Sequence, residues 1–254
     1  MNRFLPIAVV FILAAMAVAQ DNKTDKKPLA PKLIVAMPLC IKPGETMKFT
    51  VRGSNLETVS EVRVHEPKSR GKIVAKGKKV GVPNNFPVER IGDSEMEIEI
   101  VAAKEISGAT LSFSAIGPGG ESNVAKIAIA DGVHRLLEKE PNDGFDKAQL
   151  IDCPATVEGT IDRVQDSDVF QFRGKAGETI RIEVQAAKLG SPADLMMTVY
   201  DSEKRIVDSN DDANGSADPM LQLTLPKDGT YFIALIEMHD LGGKMFPYRL
   251  ILSK

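Results

Sequence analysis

A two-residue alternation of apolar and polar side chains constrains the fold of this chain more than any other feature. Met96, Ile98 and Ile100 alternate with glutamates, and similar runs recur between turns rich in Gly, Pro and Asn. Such alternation is typical of strands that bury one face of a sheet. No segment shows a convincing helical period. The sequence therefore predicts an all-β protein.

The spacing of the strand segments predicts two β-sandwich domains. About seven short strands are predicted over residues 32–131, which indicates an Ig-like β-sandwich. About eight are predicted over residues 144–254, which indicates a jelly-roll-like sandwich, although an Ig-like strand order stays open there. An acidic linker, residues 132–143, joins the two. The 254 residues are enough for two ordinary domains.

The N-terminus has the pattern of a secretory signal peptide. Arg3 precedes an apolar run from Leu5 to Ala15, and Ala17-Val18-Ala19 fits the cleavage pattern. We expect a signal peptide at residues 1–19 and a polar, flexible leader at residues 20–31. The run is short for a membrane span, so no span is expected after cleavage, and an uncleaved anchor is the alternative. The mature protein is expected to be secreted, periplasmic or at the cell envelope.

The distribution of charge along the chain limits the classes of partner that it can bind. Residues 20–135 carry 18 Lys/Arg against 14 Asp/Glu, a net of +4, whereas residues 136–254 carry 13 against 21, a net of −8. The acidic half suits a cation better than nucleic acid, which we exclude as a partner.

Cys40 and Cys153 are interpreted as two buried thiols, and a bridge between the domains is the alternative.

An acidic hexapeptide in the linker predicts a calcium site. Clustered carboxylate and amide oxygens are the ligands that calcium takes, six to eight at a time. A second acidic run follows about one strand later and could complete the set. A solvated acidic linker without metal is the alternative. The predicted ligands are Glu138, Glu140, Asn142, Asp143, Asp166 and Asp168.

Two weaker sites are also predicted. Asp211, Asp212 and Asp218 form a second candidate for a cation, with a turn built on Asx hydrogen bonds as the alternative. A basic run from Lys68 to Lys79 is interpreted as a hairpin that could bind a polyanion such as an acidic glycan. The alternative is a solvated hairpin whose lysines discourage edge pairing. The candidate polyanion ligands are Lys72, Lys76, Lys78 and Lys79.

Motifs for catalysis are missing from the sequence. His65, His134 and His239 are far apart, and no nucleophile elbow or phosphate-binding glycine loop occurs. We therefore expect a protein that is not an enzyme.

The second half resembles a known bacterial family. Several motifs occur in the family's order, and together they resemble the bacterial pre-peptidase C-terminal (PPC) domain over residues 136–254. The resemblance implies a non-catalytic appendage of secreted peptidases, similar in fold to collagenase collagen-binding domains, with calcium ligands in the acidic linker. The matching residues include Glu140-Pro141-Asn142-Asp143, Asp166-x-Asp168-x-Phe170-x-Phe172, Asn210-Asp211-Asp212, Asp218-Pro219 and Gly229-Thr230-Tyr231.

A less specific resemblance covers residues 32–131. Pro43-Gly44, Gly53-Ser54-Asn55 and Gly117-Pro118-Gly119-Gly120 resemble turns of the IPT/TIG branch of immunoglobulin-like domains. Members of that branch are usually spacers or interaction modules, and no catalytic residues come with the resemblance.

Three functions are therefore compatible with the sequence. The first is an exported binding or scaffolding protein with a calcium-stabilised junction, whose partner is an extracellular protein or polysaccharide. The second is an accessory or targeting module for a secreted peptidase or other hydrolase. The third is a binder of polysaccharide or another polyanion through the basic run.

Overall fold

The structure is a computed structural model that describes residues 27–83, 86–130, 132 and 134–254. The predicted signal peptide and most of the predicted leader lie outside these residues. Among the described helices, none has the length and apolar character that crossing a membrane requires.

The first half of the chain forms two antiparallel-rich sheets. One sheet has the order β1-β3-β6-β5 and the other β2-β9-β7-β4, with β8 paired to β7. The strands are β1 (Lys32–Met37), β2 (Cys40–Ile41), β3 (Thr46–Ser54), β4 (Glu61–Val64), β5 (Arg70–Lys79), β6 (Ser94–Val101), β7 (Thr110–Gly117), β8 (Gly120–Glu121) and β9 (Ala125–Ile129).

The second half forms two further sheets. Their orders are β10-β12-β19-β14-β17 and β11-β13-β18-β15-β16. The strands are β10 (Arg135–Leu137), β11 (Gln149–Leu150), β12 (Ala155–Thr160), β13 (Ser167–Gly174), β14 (Thr179–Gln185), β15 (Leu195–Tyr200), β16 (Ile206–Asn210), β17 (Met220–Thr224), β18 (Gly229–Glu237) and β19 (Pro247–Ser253). The described helices are short: α1 (Val88–Ile91) and two 3₁₀ turns, Leu56–Thr58 and Ala187–Leu189.

The alternation in the sequence becomes an inside–outside alternation in the sheets. Met96, Ile98 and Ile100 of β6 are buried in the first core, and Ile180 and Ile182 of β14 are buried in the second. Each half therefore has its own apolar core between two sheets, which is how a β-sandwich removes apolar surface from water. The prediction of an all-β, multi-sheet fold is confirmed.

A smaller apolar cluster lies between the two halves. Val35, Leu39 and Cys40 pack there with Leu189 of the second half. Phe86 of the first half also packs on the second core, with its ring centroid 5.3 Å from that of Phe246. The halves are in contact through these residues, whereas the exact domain boundaries stay a prediction.

The two cysteines are both free. Cys40 is buried, and its thiol donates a hydrogen bond to Glu158. Burial raises the pKa of Cys40 to about 12, and the Glu158 carboxylate adds to this effect. Cys153 is partly buried. The interpretation as two thiols therefore matches the structure, and the alternative bridge is not formed.

The basic run differs from the predicted hairpin. It forms one ten-residue strand, β5, which pairs with β6 and ends the sheet on that side. The sequence Arg70–Lys79 is rich in Lys and Gly and lacks a clear alternation, so its strand character depends on pairing with β6 rather than on burial of one face.

Candidate metal centre

Backbone hydrogen bonds bring the acidic linker to the second acidic run. The acidic hexapeptide of the linker follows directly after β10, which lies parallel to β12. The Glu138 amide donates a hydrogen bond to the Glu158 carbonyl at 2.9 Å. Further along, the Val169 amide of β13 donates to the Asn142 carbonyl at 3.0 Å. These two bonds place the linker beside the start of β13, where Asp168 lies.

Three predicted ligands meet in what we call the first carboxylate group, formed by Glu138, Glu140 and Asp168. One oxygen of each lies within 4.8 Å of the others. Glu138 is held firmly in this position. Its Oε1 accepts hydrogen bonds from the Tyr248 hydroxyl at 2.7 Å and the Asn142 amide nitrogen at 3.0 Å, and its Oε2 accepts one from the Thr160 amide at 2.8 Å.

Asp168 is the anomalous member of this group. Its side chain is 0% exposed, yet neither carboxylate oxygen has a hydrogen-bond donor in the part of the chain that the structure describes. Burial, and then the negative charge of Glu138, raises the pKa of Asp168 to about 10. A buried carboxylate without a partner is strongly destabilising unless it is protonated or meets a cation. The structure therefore contains a position that favours a positive charge.

A second carboxylate group is formed by Glu140, Asp162 and Asp166, so that Glu140 belongs to both groups. Asp166 and Glu140 are predicted ligands, whereas Asp162 was missed. The loop from Ile161 to Asp166 turns back on itself through Gln165, whose φ is 58°. The Asp162 amide then donates to Asp166 Oδ2 at 2.8 Å. The available signal was the spacing of two aspartates across a short loop.

The remaining two predicted ligands differ in their placement. Asn142 is buried next to Glu138, and its Oδ1 has no hydrogen-bond donor, so it remains available as a ligand. Asp143 lies in neither carboxylate group. It forms ion pairs with Arg163 and, at 4.0 Å, with Lys147. The structure therefore gives Asp143 cationic partners of its own instead of bringing it to the site.

The donor set fits a hard divalent cation. Every member of the two groups supplies carboxylate oxygens, Asn142 adds an amide oxygen, and neither group contains a histidine or cysteine. Zinc and copper sites usually include such softer ligands. Calcium takes oxygen ligands in flexible geometry, and magnesium demands a stricter octahedron. The oxygens of Asp168 and Asn142 that have no hydrogen-bond donor among the described residues are the observation that the residues present fit calcium.

Comparison with known families identifies part of this half. Residues 166–236 match the family model described as the bacterial pre-peptidase C-terminal domain. We call residues 166–236 the PPC segment. The match confirms the resemblance predicted from the sequence, and it includes Asp166 and Asp168 but begins after the acidic hexapeptide. The IPT/TIG resemblance of the first half stays a prediction.

A curated relative and two solved structures show similarity. A probable subtilase-type serine protease of Deinococcus radiodurans is 36% identical over 97 residues, 37% of this chain and 13% of that protein. The PPC domain of Bacillus anthracis collagenase aligns with TM-score 0.34 and 14% identity, covering 46% of this chain and 100% of that one. The Aeromonas hydrophila periplasmic inhibitor of g-type lysozyme, PliG, aligns with TM-score 0.32 and 18% identity. The alignment covers 49% of this chain and 98% of that one. This chain thus spans a small part of the protease.

The second cation candidate lies within the PPC segment. Asp218 is buried, and its carboxylate accepts hydrogen bonds from the amides of Ala186, Ala187 and Lys188 at 2.7–3.0 Å. It therefore caps the 3₁₀ turn Ala187–Leu189. Asp211 and Asp212 are exposed, and no described group of metal-ligating side chains includes any of the three aspartates. The geometry supports the alternative of turn chemistry.

The candidate polyanion ligands divide into two kinds. Lys72 pairs with Glu99 at 2.7 Å, and Lys79 pairs with Asp93 at 2.7 Å. Lys76 and Lys78 are exposed and form no ion pair with the described residues. The uncompensated positive charge on β5 is therefore smaller than the sequence indicated, and polyanion binding stays a prediction.

Proposed function

We propose that this chain is an exported, non-catalytic binding or scaffolding protein whose second half is stabilised by calcium at the junction between linker and PPC segment. Glu138, Glu140 and Asp168 would hold the ion, with Asn142 as a further ligand. When bound, calcium supplies the positive charge that these carboxylates lack. The linker is thereby fixed against β13, and the two halves act as one extended surface for an extracellular protein or polysaccharide.

A single observation carries the calcium proposal. Asp168 is completely buried with both oxygens unpartnered, and one of them faces Glu138 and Glu140. A solvated acidic linker would instead expose its carboxylates or pair them with lysines. No lysine or arginine of the described residues forms an ion pair with these three side chains. The burial of Asp168 therefore supports a bound cation.

Thermal melting in a calcium titration tests the proposal. A ligand that binds only the folded state stabilises it by about 2.7 kcal/mol at a hundredfold excess over Kd. We expect the melting midpoint to rise with calcium concentration in the wild type. The double variant Glu138→Gln/Asp168→Asn keeps the shapes of the side chains but removes two charges, so its midpoint should not respond.

The exposed pair Asp211 and Asp212 supplies the matched control. Replacing both with Asn removes the same charge from the same half of the chain, and the calcium response should persist. A wild-type midpoint that does not move with calcium would refute the site. A response lost in the control but kept in the double variant would move the site to the second candidate.

An accessory role for a secreted peptidase is the second candidate function. It is favoured by the relative of 36% identity, which is named as a subtilase-type serine protease. In this role the chain would position a separate peptidase on its substrate without cleaving it. Capture from the culture medium, with the purified chain as bait, should recover a protease whose activity survives elution. Hydrolysis by the purified chain itself, lost on a single substitution, would overturn the non-catalytic proposal.

A further inference from the structure

The second carboxylate group already has a cation of its own. Arg163 lies in the loop between Asp162 and Asp166 and reaches both. Its Nη1 is 3.3 Å from Asp162 Oδ1, and its Nη2 is 2.9 Å from Asp166 Oδ1. The same Nη2 also pairs with Asp143 Oδ1. One guanidinium thus bridges three carboxylates.

No side-chain cation among the described residues pairs with the first carboxylate group. Glu138 is held by neutral donors, namely Tyr248, Asn142 and the Thr160 amide. Asp168 has no donor, and Glu140 Oε2 accepts only the Asn142 amide at 3.0 Å among the described contacts. The two groups share Glu140 and differ in one respect, which is that a side-chain cation is present only in the second.

We propose that Arg163 is the built-in counter-ion of the second carboxylate group and limits the site to one divalent cation, bound at the first group. This inference rests on the calcium site proposed above. It explains why Asp143 lies outside both groups, since Arg163 binds it. It also assigns Glu140 to the metal, because Arg163 forms ion pairs with Asp162 and Asp166 but not with Glu140.

The chemistry of arginine suits this role. A guanidinium presents several donors in a planar fork and remains protonated at all ordinary pH values. Carboxylate oxygens that pair with the guanidinium are less available to coordinate calcium, and its positive charge repels a second ion. Because the Arg163 side chain is 51% exposed, its pairs are partly screened, and it can be replaced without opening the core.

Counting bound ions tests the inference. Equilibrium dialysis against calcium, followed by metal analysis, should give one ion per chain for the wild type and two for Arg163→Gln. Arg63→Gln is the matched control, since Arg63 is 49% exposed and also bridges two carboxylates, Glu61 and Glu121, in the first half. It should bind one ion.

Melting with and without calcium supplies an independent readout. In chelator, Arg163→Gln should melt below the wild type, because three carboxylates lose their counter-ion. In saturating calcium the difference should shrink or reverse. Two ions on the wild type, or one ion on both the wild type and Arg163→Gln, would overturn the inference. No ion on the wild type would instead overturn the proposed calcium site, so the two failures can be told apart.

Discussion

The two halves of the molecule treat a buried charge in opposite ways. In the first half, Arg52 is 5% exposed, and its guanidinium donates to the carbonyls of Ile91, Gly81 and Gly92 at 2.7–3.2 Å. In the second half, Asp168 is 0% exposed, and neither of its oxygens has a donor at hydrogen-bonding geometry among the described residues. The chain compensates the first charge with backbone carbonyls and with Glu95, 4.0 Å away, and gives the second no hydrogen-bond donor from the described residues.

This difference teaches which half depends on its surroundings. Arg52 connects β3 to the segment around α1, so its contacts are complete whenever the first half is folded. Asp168 reaches the same level of satisfaction only when a cation or a proton is present. The stability of the second half should therefore vary with calcium and pH, whereas the stability of the first half should not.

The largest effect is expected for Arg52→Ala. Removing the guanidinium takes the donor from the carbonyls of buried Ile91 and Gly92 and of exposed Gly81. Loss of one side of a buried charged network typically destabilises by about 3–5 kcal/mol. Urea unfolding should show this loss equally in calcium and in chelator. A loss that depended on calcium would break the contrast between the halves. Arg63→Gln, an exposed arginine of the same half, should change stability by less than about 1 kcal/mol.

A smaller effect is expected for Asp218→Ala, which tests whether every buried carboxylate of the second half needs a cation. Asp218 accepts three backbone N–H groups, so its removal should cost about 2 kcal/mol. The loss should again be the same with and without calcium in urea unfolding. A calcium-dependent loss would show that Asp218 contributes to a metal site after all.

The fold could be predicted from the sequence more completely than the details of the candidate site. Period-two alternation located the strands that bury one face, such as β6 and β14, because burial imposes that pattern. The same pattern did not predict β5 as a single strand, because the lysines of β5 are exposed and do not alternate with buried apolar residues. In the site, the linker and Asp168 were predicted together.

Asp162 and Arg163 escaped the same reasoning for a different reason. Their positions depend on how the loop after β12 folds back, and no local pattern encodes that. The ion pair between Asp143 and Arg163 joins residues that are 20 positions apart in the sequence. A charge-pairing argument of this kind requires the three-dimensional structure.

The pH dependence of stability gives the finest test of the contrast. The pKa of Asp168 is raised to about 10 by burial and by Glu138, from an ordinary value of 3.8. Between these values the folded state holds a proton that the unfolded state releases. Unfolding is therefore favoured as pH rises, by at most about 1.4 kcal/mol per pH unit for one proton. The raised pKa values of Glu140 and Asp162 act in the same direction.

Urea unfolding in chelator between pH 5 and pH 8 should thus show stability that declines with rising pH. The range ends at pH 8 because thiols that stay protonated in the folded state, such as Cys40, add a decline of the same sign above it. Saturating calcium should flatten the decline, because the bound ion then neutralises the Asp168 carboxylate in place of the proton. Asp168→Asn should abolish most of it, and Arg52→Ala should leave its slope unchanged. A slope that persists in Asp168→Asn would show that Asp168 is not the buried acid, and that the halves differ for another reason.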